Sequence, residues 1–328
     1  ELIYFCTREM PDWNHTDIET QAMNEIGANA VEQIAFGIAN AMAVADSCVK
    51  AGIEPDAFMP GIGFQIAIGN DFFEYIAMFR AFRRLWARIA KERYGCKKPS
   101  SMQFRNIAYN SCYQLTKQQP LINVIRTTLC ALGAVLSGTT AIGLASYDEA
   151  IGMPTEESAM LSIRVNQVLL HETGITKVVD PLAGSYYVES LTNKMEEEAR
   201  KVLQQIEEQG GFVNAVKNGW IISRCRRNAE RWREKVSSGE EVVIGWNKFV
   251  VPEERETPAF EIDPEVERIA IERIKKYKAE RDQARTDAAL NRLREVAQRA
   301  NQGEHGLLMP AAIEAAKAKA TTGAISKT

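Results

Sequence analysis

An α/β fold built on a parallel sheet is predicted by three features of the sequence. Short apolar runs end in small or polar residues at Gln21, Gly69 and Asn110, and a fourth run, from Thr139 to Glu149, repeats that design. Each is followed by a long segment with apolar residues at helical spacing. No hairpin signal separates successive runs, so the strands must be joined by helical crossovers, with their loops gathered at one end of the sheet.

Taken in order, residues 1–13 read as a helix end closed by Met10-Pro11-Asp12. A strand is expected over 16–21 and a helix over 24–50, where Val31, Ile34, Ile38, Met42, Ala45 and Val49 share a face and Gly52 is free to take a left-handed cap. The second strand, 58–68, is apolar on both faces, as a buried parallel strand should be, with an irregular start at Pro60, Gly61 and Gly63. Helix 71–93 turns Phe72, Ile76, Phe79, Phe82 and Trp86 inward and its arginines outward. The third strand spans 102–109 and its helix 122–136. The fourth lies in 139–149, and its helix starts near Thr155, where Thr-x-x-Ser with Glu156 and Glu157 suits a helix N-terminus.

Four strand–helix pairs make half of a (β/α)8, or TIM, barrel. Beyond residue 177 the pattern turns helical, with a connector through Tyr187, helices over 189–209 and 221–237, and an extended piece over 242–251. A linker rich in Pro and Glu at 252–264 leads to two charged helices and a final one over 310–321. The expected domains are therefore 1–177, strands five to eight of the barrel with their helices; 178–251, a connector and helices packing on the barrel; and 252–328, linker and C-terminal helices. Half a barrel leaves two outer strands with unpaired backbone groups, which soluble proteins avoid. The other half is thus expected upstream in the same polypeptide or in a partner subunit. A first residue of Glu rather than Met fits a piece of a longer protein.

Composition narrows the function classes. A net charge of -3 gives no footprint for nucleic acid, and the basic clusters at Arg83, Arg84, Arg88, Lys91 and Arg93 and at Arg224, Arg226 and Arg227 read as solvated helix faces. The uncharged run 127–147 is long enough to span a membrane, but Ser137-Gly138-Thr139-Thr140 divides it into a helix and a strand. Six scattered cysteines without a CxxC pair argue against zinc and disulfides and for a reducing, cytoplasmic setting. There is no nucleophile elbow, P-loop, GxGxxG or HExxH. Asp148 and Glu149 at a strand end could form an acid/base pair, or simply hold backbone amides at a helix start.

Several phrases together resemble the large subunit of the methylmalonyl-CoA mutase family. They are Asn24-Glu25-Ile26-Gly27-Ala28, Arg83-Arg84-Leu85-Trp86-Ala87, Asn123-Val124-Ile125-Arg126-Thr127-Thr128, Asp148-Glu149-Ala150-Ile151-Gly152-Met153-Pro154-Thr155, Gly184-Ser185-Tyr186-Tyr187-Val188-Glu189 and Ile244-Gly245-Trp246-Asn247-Lys248-Phe249. The resemblance implies an adenosylcobalamin-dependent acyl-CoA mutase, an isomerase that rearranges carbon skeletons by radical chemistry. It also implies that cobalamin is bound mainly by a domain or subunit outside this chain, which would be inactive alone. In such enzymes the hard chemistry is the cofactor's, and the protein supplies enclosure and electrostatics.

The match weakens at the strand ends. Where the family has Gly-Tyr-His-Met-Gln, this chain has Thr20-Gln21-Ala22-Met23-Asn24, so the family's histidine is Ala22. Pro-Arg-Leu-Ser becomes Pro60-Gly61-Ile62-Gly63, and Arg-Thr-His-x-Gln-Thr-Ser-Gly becomes Arg105-Asn106-Ile107-Ala108-Tyr109-Asn110-Ser111-Cys112. Leu-His-Thr-Asn becomes Ile142-Gly143-Leu144-Ala145. The resemblance therefore makes Gln21, Ala22, Asn24, Gly61, Gly63, Arg105, Ile107, Tyr109, Ser111, Arg126 and Gly143 the candidate substrate or CoA contacts. Two readings stand: a mutase with altered acyl specificity, or a non-catalytic, mutase-like support subunit that binds CoA or a partner mutase chain.

Overall fold

The computed structural model describes residues 1–252 and 259–328. Its single named sheet is parallel, in the order β1 (Thr16–Glu19), β2 (Ile62–Ile68), β3 (Arg105–Asn110), β4 (Ala141–Gly143). With the crossover helices between them, the strands form the partial TIM barrel expected from the sequence.

The helices follow in chain order. α1 (Leu2–Glu9) precedes the sheet, and α2 (Gln21–Glu25) and α3 (Ala30–Lys50) follow β1. The expected single helix over 24–50 is divided because Gly27 adopts φ 117°, and α3 restarts on a reciprocal cap. The Glu32 amide donates to Asn29 Oδ1 at 2.9 Å, and the Asn29 amide donates to the Glu32 carboxylate at 3.1 Å. The strand expected from residue 58 begins only at Ile62, since α4 (Pro55–Phe58) and a 3-10 turn at Met59–Gly61 occupy its start. Pro55 suits the first turn of a helix, and Pro60 cannot donate to a strand ladder.

α5 (Phe72–Glu92) is capped by Asp71, and α6 (Ile122–Ser137) ends at Gly138, whose φ of 70° supplies the left-handed turn before β4. Thr155 caps α7 (Glu156–His171). Then come α8 (Tyr186–Glu208), α9 (Phe212–Lys217) and α10 (Trp220–Ser238). The expected extended piece over 242–251 is instead a turn with one isolated bridge, Ile244 to Lys248. Asn247 organises it by donating to the carbonyls of Val236 and Glu241 and accepting from the Val243 amide. Of the expected linker over 252–264, residues 253–258 lie outside the described residues. α11 (Pro264–Ala279), α12 (Gln283–Asn301), α13 (Leu308–Lys317) and α14 (Thr322–Lys327) complete the chain.

Contacts divide the chain into two compact units. One comprises Thr16–Ser47 and Met59–Phe260 and holds the sheet. In it Ile62, Phe64, Ile66 and Ile68 are buried on the helix side of β2, and the Phe64 ring packs against Phe82, Trp86 and Phe104 at centroid distances of 5.1–5.2 Å. The other comprises Glu1–His15, Cys48–Phe58 and Glu261–Thr328. Its core includes Leu293, Ala315 and Ala320, and the Glu1 carboxylate accepts from the amides of Gly306 (3.0 Å) and Leu308 (3.1 Å). Ties between the two chain ends thus cut across the three consecutive segments drawn from the sequence.

The basic clusters are more than solvated faces. Arg83 caps α6 by donating to the carbonyls of Ser137 (2.6 Å) and Gly138 (3.0 Å), and Arg224 pairs with the buried Glu32. Glu196 on α8, with its side chain 5% exposed, binds Arg84, Arg88 (2.7 Å) and Arg200 (2.8 Å). Burial pushes the Glu196 carboxyl up, but hydrogen bonds from Arg200 and Arg84 and the charges of Arg84 and Arg88 outweigh it, so its pKa lies below the usual 4.5. A lowered carboxylate contributes stability that is present above the unfolded value and lost as pH falls through the folded one. Glu196→Gln is therefore expected to cost about 1–2 kcal/mol at neutral pH, discounted because the arginines are partly exposed. Urea titrations should show that cost shrinking as pH drops below about 4.5.

Candidate active site

Burial alternates along the strands and separates two faces. On β3, Asn106, Ala108 and Asn110 are buried on the helix side, while Arg105, Ile107 and Tyr109 face the other way. The strand register extends that inner face into rows. Asp17 lies beside Gly63 and Arg105; Glu19 beside Gln65, Ile107 and Ala141; Ala67 beside Tyr109 and Gly143. The first row sits at the feet of the strands and the last near their C-terminal ends, where barrel enzymes place chemistry.

The inner face is more polar than the strand-end comparison suggested. Gln65 Nε2 donates to the Asp17 carboxylate, and Arg105 Nη1 donates to the Pro60 carbonyl at 2.9 Å. Glu19 accepts from the Ala22 amide at 3.2 Å. Burial pushes its carboxyl above 4.5, and the negative charge of Asp17 adds to that, against the pull of the Ala22 and Gln21 amides. The sign of the linkage is opposite to that of Glu196: the contribution of Glu19 is fully present below pH 4.5 and lost as pH rises through its raised value. Glu19→Gln should therefore flatten the fall in stability above about pH 4.5 in denaturant titrations, and an unchanged pH profile would contradict this placement.

Tyr109 lies over Gly143. A Cβ built on Gly143 would come within 2.3 Å of Tyr109 Cε1 and 2.5 Å of Cδ1, so the bare backbone there is a notch for the ring.

At the strand ends, Asn24 and Ser111 are both buried and occupied with each other. Ser111 Oγ donates to Asn24 Oδ1 at 2.6 Å, and Asn24 Nδ2 donates to the Ala28 carbonyl at 2.8 Å. This pair ties α2 to the end of β3. Glu25 accepts from the Cys112 amide at 2.8 Å. Burial, with Glu25 and Glu149 nearby, pushes the Cys112 thiol up to about 12, so it is no nucleophile. Glu149 is exposed, yet the protein beside it partly desolvates its carboxyl and raises its pKa, helped by the charges of Asp148 and Glu25. Asp148 instead accepts from the Thr155 amide (3.2 Å) and hydroxyl (3.3 Å), so it holds the start of α7.

The candidates thus separate. Gly63, Arg105, Ile107, Tyr109 and Gly143 share the inner face, with Gly61 in the turn at the foot of β2 and Gln21 and exposed Ala22 opening α2 at the other end. Arg126 is set apart on α6, donating to Thr116 Oγ1 (2.9 Å), Asn123 Oδ1 (2.7 Å) and the Ile244 carbonyl (2.7 Å). Asn123, on the same helix, donates to the carbonyls of Thr116 and Tyr147. Tyr186, at the start of α8, is 94% exposed. Asp17, Glu19, Gln65 and Glu25 escaped the sequence reading, although the alternation Asp17-Ile18-Glu19 is the signature of a strand with one charged face.

Among the described residues no cluster of His, Cys, Asp or Glu could hold a metal ion, and no helix is long and apolar enough to cross a membrane. All six cysteines are free thiols.

A parallel sheet with buried residues on its helix side and Asp17, Glu19, Gln65 and Arg105 on the other defines a partial (β/α) barrel. The chain belongs to the methylmalonyl-CoA mutase family, whose model, described as methylmalonyl-CoA mutase, matches residues 1–328. It is 36% identical over 328 residues to the 2-hydroxyisobutanoyl-CoA mutase large subunit of Aquincola tertiaricarbonis, covering 99% of this chain and 57% of that one. It is 38% identical over 327 residues to the methylmalonyl-CoA mutase of Escherichia coli, covering 99% and 45%. With the mitochondrial methylmalonyl-CoA mutase of Mus musculus, identity is 36% and coverage 99% and 43%. The chain spans about half the length of the curated relatives it matches.

Proposed function

We propose that this chain is the substrate-binding part of an adenosylcobalamin-dependent acyl-CoA mutase whose acyl specificity differs from that of methylmalonyl-CoA mutase. The observation that carries the reading is the inner face itself, in a chain of this family. Tyr109 covers Gly143 near the strand ends, and a polar floor of Asp17, Gln65, Glu19 and Arg105 lies at and above the strand feet. Tyr109 and Ile107 give the acyl group a bulky, largely apolar wall, and Ala22 offers no side-chain hydrogen bond. Gln21 stands at the opening of α2, free to meet the thioester end. The exposed edges of β1 and β4 are completed by the other half of the barrel, from elsewhere in the polypeptide or from a partner.

The strand-end residues suit the cofactor's nucleoside. Glu25 has one carboxylate oxygen bonded to the Cys112 amide, and Glu149 is exposed, so both can accept hydrogen bonds from ribose hydroxyls. Cobalt would be held by a separate cobalamin-binding domain or subunit. When bound, adenosylcobalamin supplies a radical that removes hydrogen from the substrate. The residues of this chain orient the acyl-CoA and exclude water around it. Its free thiols fit a reducing, cytoplasmic setting.

The test uses the complete protein with its cobalamin-binding partner, adenosylcobalamin and a panel of acyl-CoA thioesters of graded size and branching, with mass spectrometry of the product. Isomerisation of at least one thioester is the expected result. If none is isomerised and none perturbs the visible spectrum of the cofactor, the mutase reading is lost and a support subunit that binds CoA or a partner mutase takes its place.

A further inference from the structure

A cavity of about 410 Å³ opens outside the inner face, between the loops that follow β2 and β3 and the turn at 241–246. Its walls include Tyr113, Trp232 and Trp246, which meet edge to face with ring centroids 5.3 and 5.9 Å apart. Arg126 lines the same cavity and is 9% exposed. A guanidinium has five N–H donors and keeps its charge in any protein. Here three hydrogen bonds go to neutral oxygens, those of Thr116, Asn123 and Ile244, and among the described residues no carboxylate offsets the desolvation of the guanidinium. A buried charge without a counter-ion is costly, and a bound anion would offset that cost. The carboxylates that also line the cavity, Asp71 and Glu241, are exposed and would repel a multiply charged ligand more than a singly charged one.

We propose that this cavity binds an aromatic monocarboxylate, its carboxylate on Arg126 and its ring against Trp232 and Trp246. The site is separate from the acyl-CoA site and does not depend on the mutase reading. Bidentate pairing with a carboxylate is what the guanidinium fork favours, and three aromatic rings at edge-to-face angles make a wall for a planar guest.

Calorimetric titration of the complete protein with benzoate, followed in parallel by tryptophan fluorescence, tests the assignment. Saturable one-site binding is expected, with acetate and inorganic phosphate each at least tenfold weaker. Arg126→Gln should weaken benzoate at least tenfold. Because Arg126 also braces Thr116 and Ile244, a second variant, Trp246→Ala, is needed. Trp246 is 46% exposed, so its removal should spare the fold, judged by an unchanged melting temperature, and still weaken benzoate several-fold. No saturable binding, binding unaltered by both substitutions, or phosphate bound as tightly as benzoate would each overturn the proposal.

Discussion

Replacing Gly27 with alanine is expected to destabilise the protein by about 3 kcal/mol or more, among the largest single-residue effects this fold offers. The reason is geometric. Gly27 has φ 117°, and a Cβ there would lie 2.2 Å from the Cys225 carbonyl oxygen and 2.9 Å from the Ala229 Cβ. The obstacle is helix backbone, and α10 cannot retreat without unpacking Ile221 and Cys225 from a core cluster with Ala28 and Phe36. Gly52 is the internal control. Its φ is 75°, yet nothing lies within 4 Å of its would-be Cβ, so Gly52→Ala should cost only about 1 kcal/mol. Chemical denaturation of the two variants measures the difference; equal costs would mean that the close approach of α10 carries no weight.

The second large effect is on selectivity. In the mutase proposed above, Gly143→Ala must push the Tyr109 ring off the strand, because the obstructing atoms at 2.3–2.5 Å are a movable side chain rather than backbone. Displaced inward, the ring narrows the acyl space. The expected outcome is a loss of about 10–100-fold in kcat/KM for the bulkiest acyl-CoA accepted, with smaller thioesters affected much less, following the usual value of one or two methylenes in a pocket. Tyr109→Ala should move the preference the other way. Stability provides the separate readout: Tyr109 and Gly143 are each only partly buried, and both substitutions should shift the melting temperature only slightly. If kcat/KM falls equally for every thioester, Tyr109 does not set acyl size.

The sequence made the strand–helix rhythm legible because apolar runs and helical faces are local signals. It failed where backbone conformation decided the outcome. The run from Phe58 reads as strand by hydropathy, but Pro55 and Pro60 favour helical turns and delay β2 to Ile62. Residues 242–251 carry four valines and an isoleucine, yet one side chain, Asn247, gathers them into a turn through three hydrogen bonds. Around the inner face, motif replacement picks out Ala22 and Gly143 but not Asp17 and Glu19, whose shared face shows only in the strand register. Arg126 is a candidate contact by motif alone, whereas its bonds to Thr116 and Ile244 set it apart from the inner face. Non-local bonds of this kind leave no trace in spacing.

The two outer strands have a practical consequence for handling these residues by themselves. β1 and β4 each pair on one side only, and β4 contributes just three residues, of which Ala141 is exposed. On α7, Met160, Ile163 and Leu170 are also exposed, at 47–57%. Such a surface is a template for any strand that collides with it, including another copy of itself. Produced by themselves, these residues should remain clear only in dilute solution and turn to oligomers or precipitate as their concentration rises, whereas co-expression with the half-barrel proposed above should give concentration-independent light scattering.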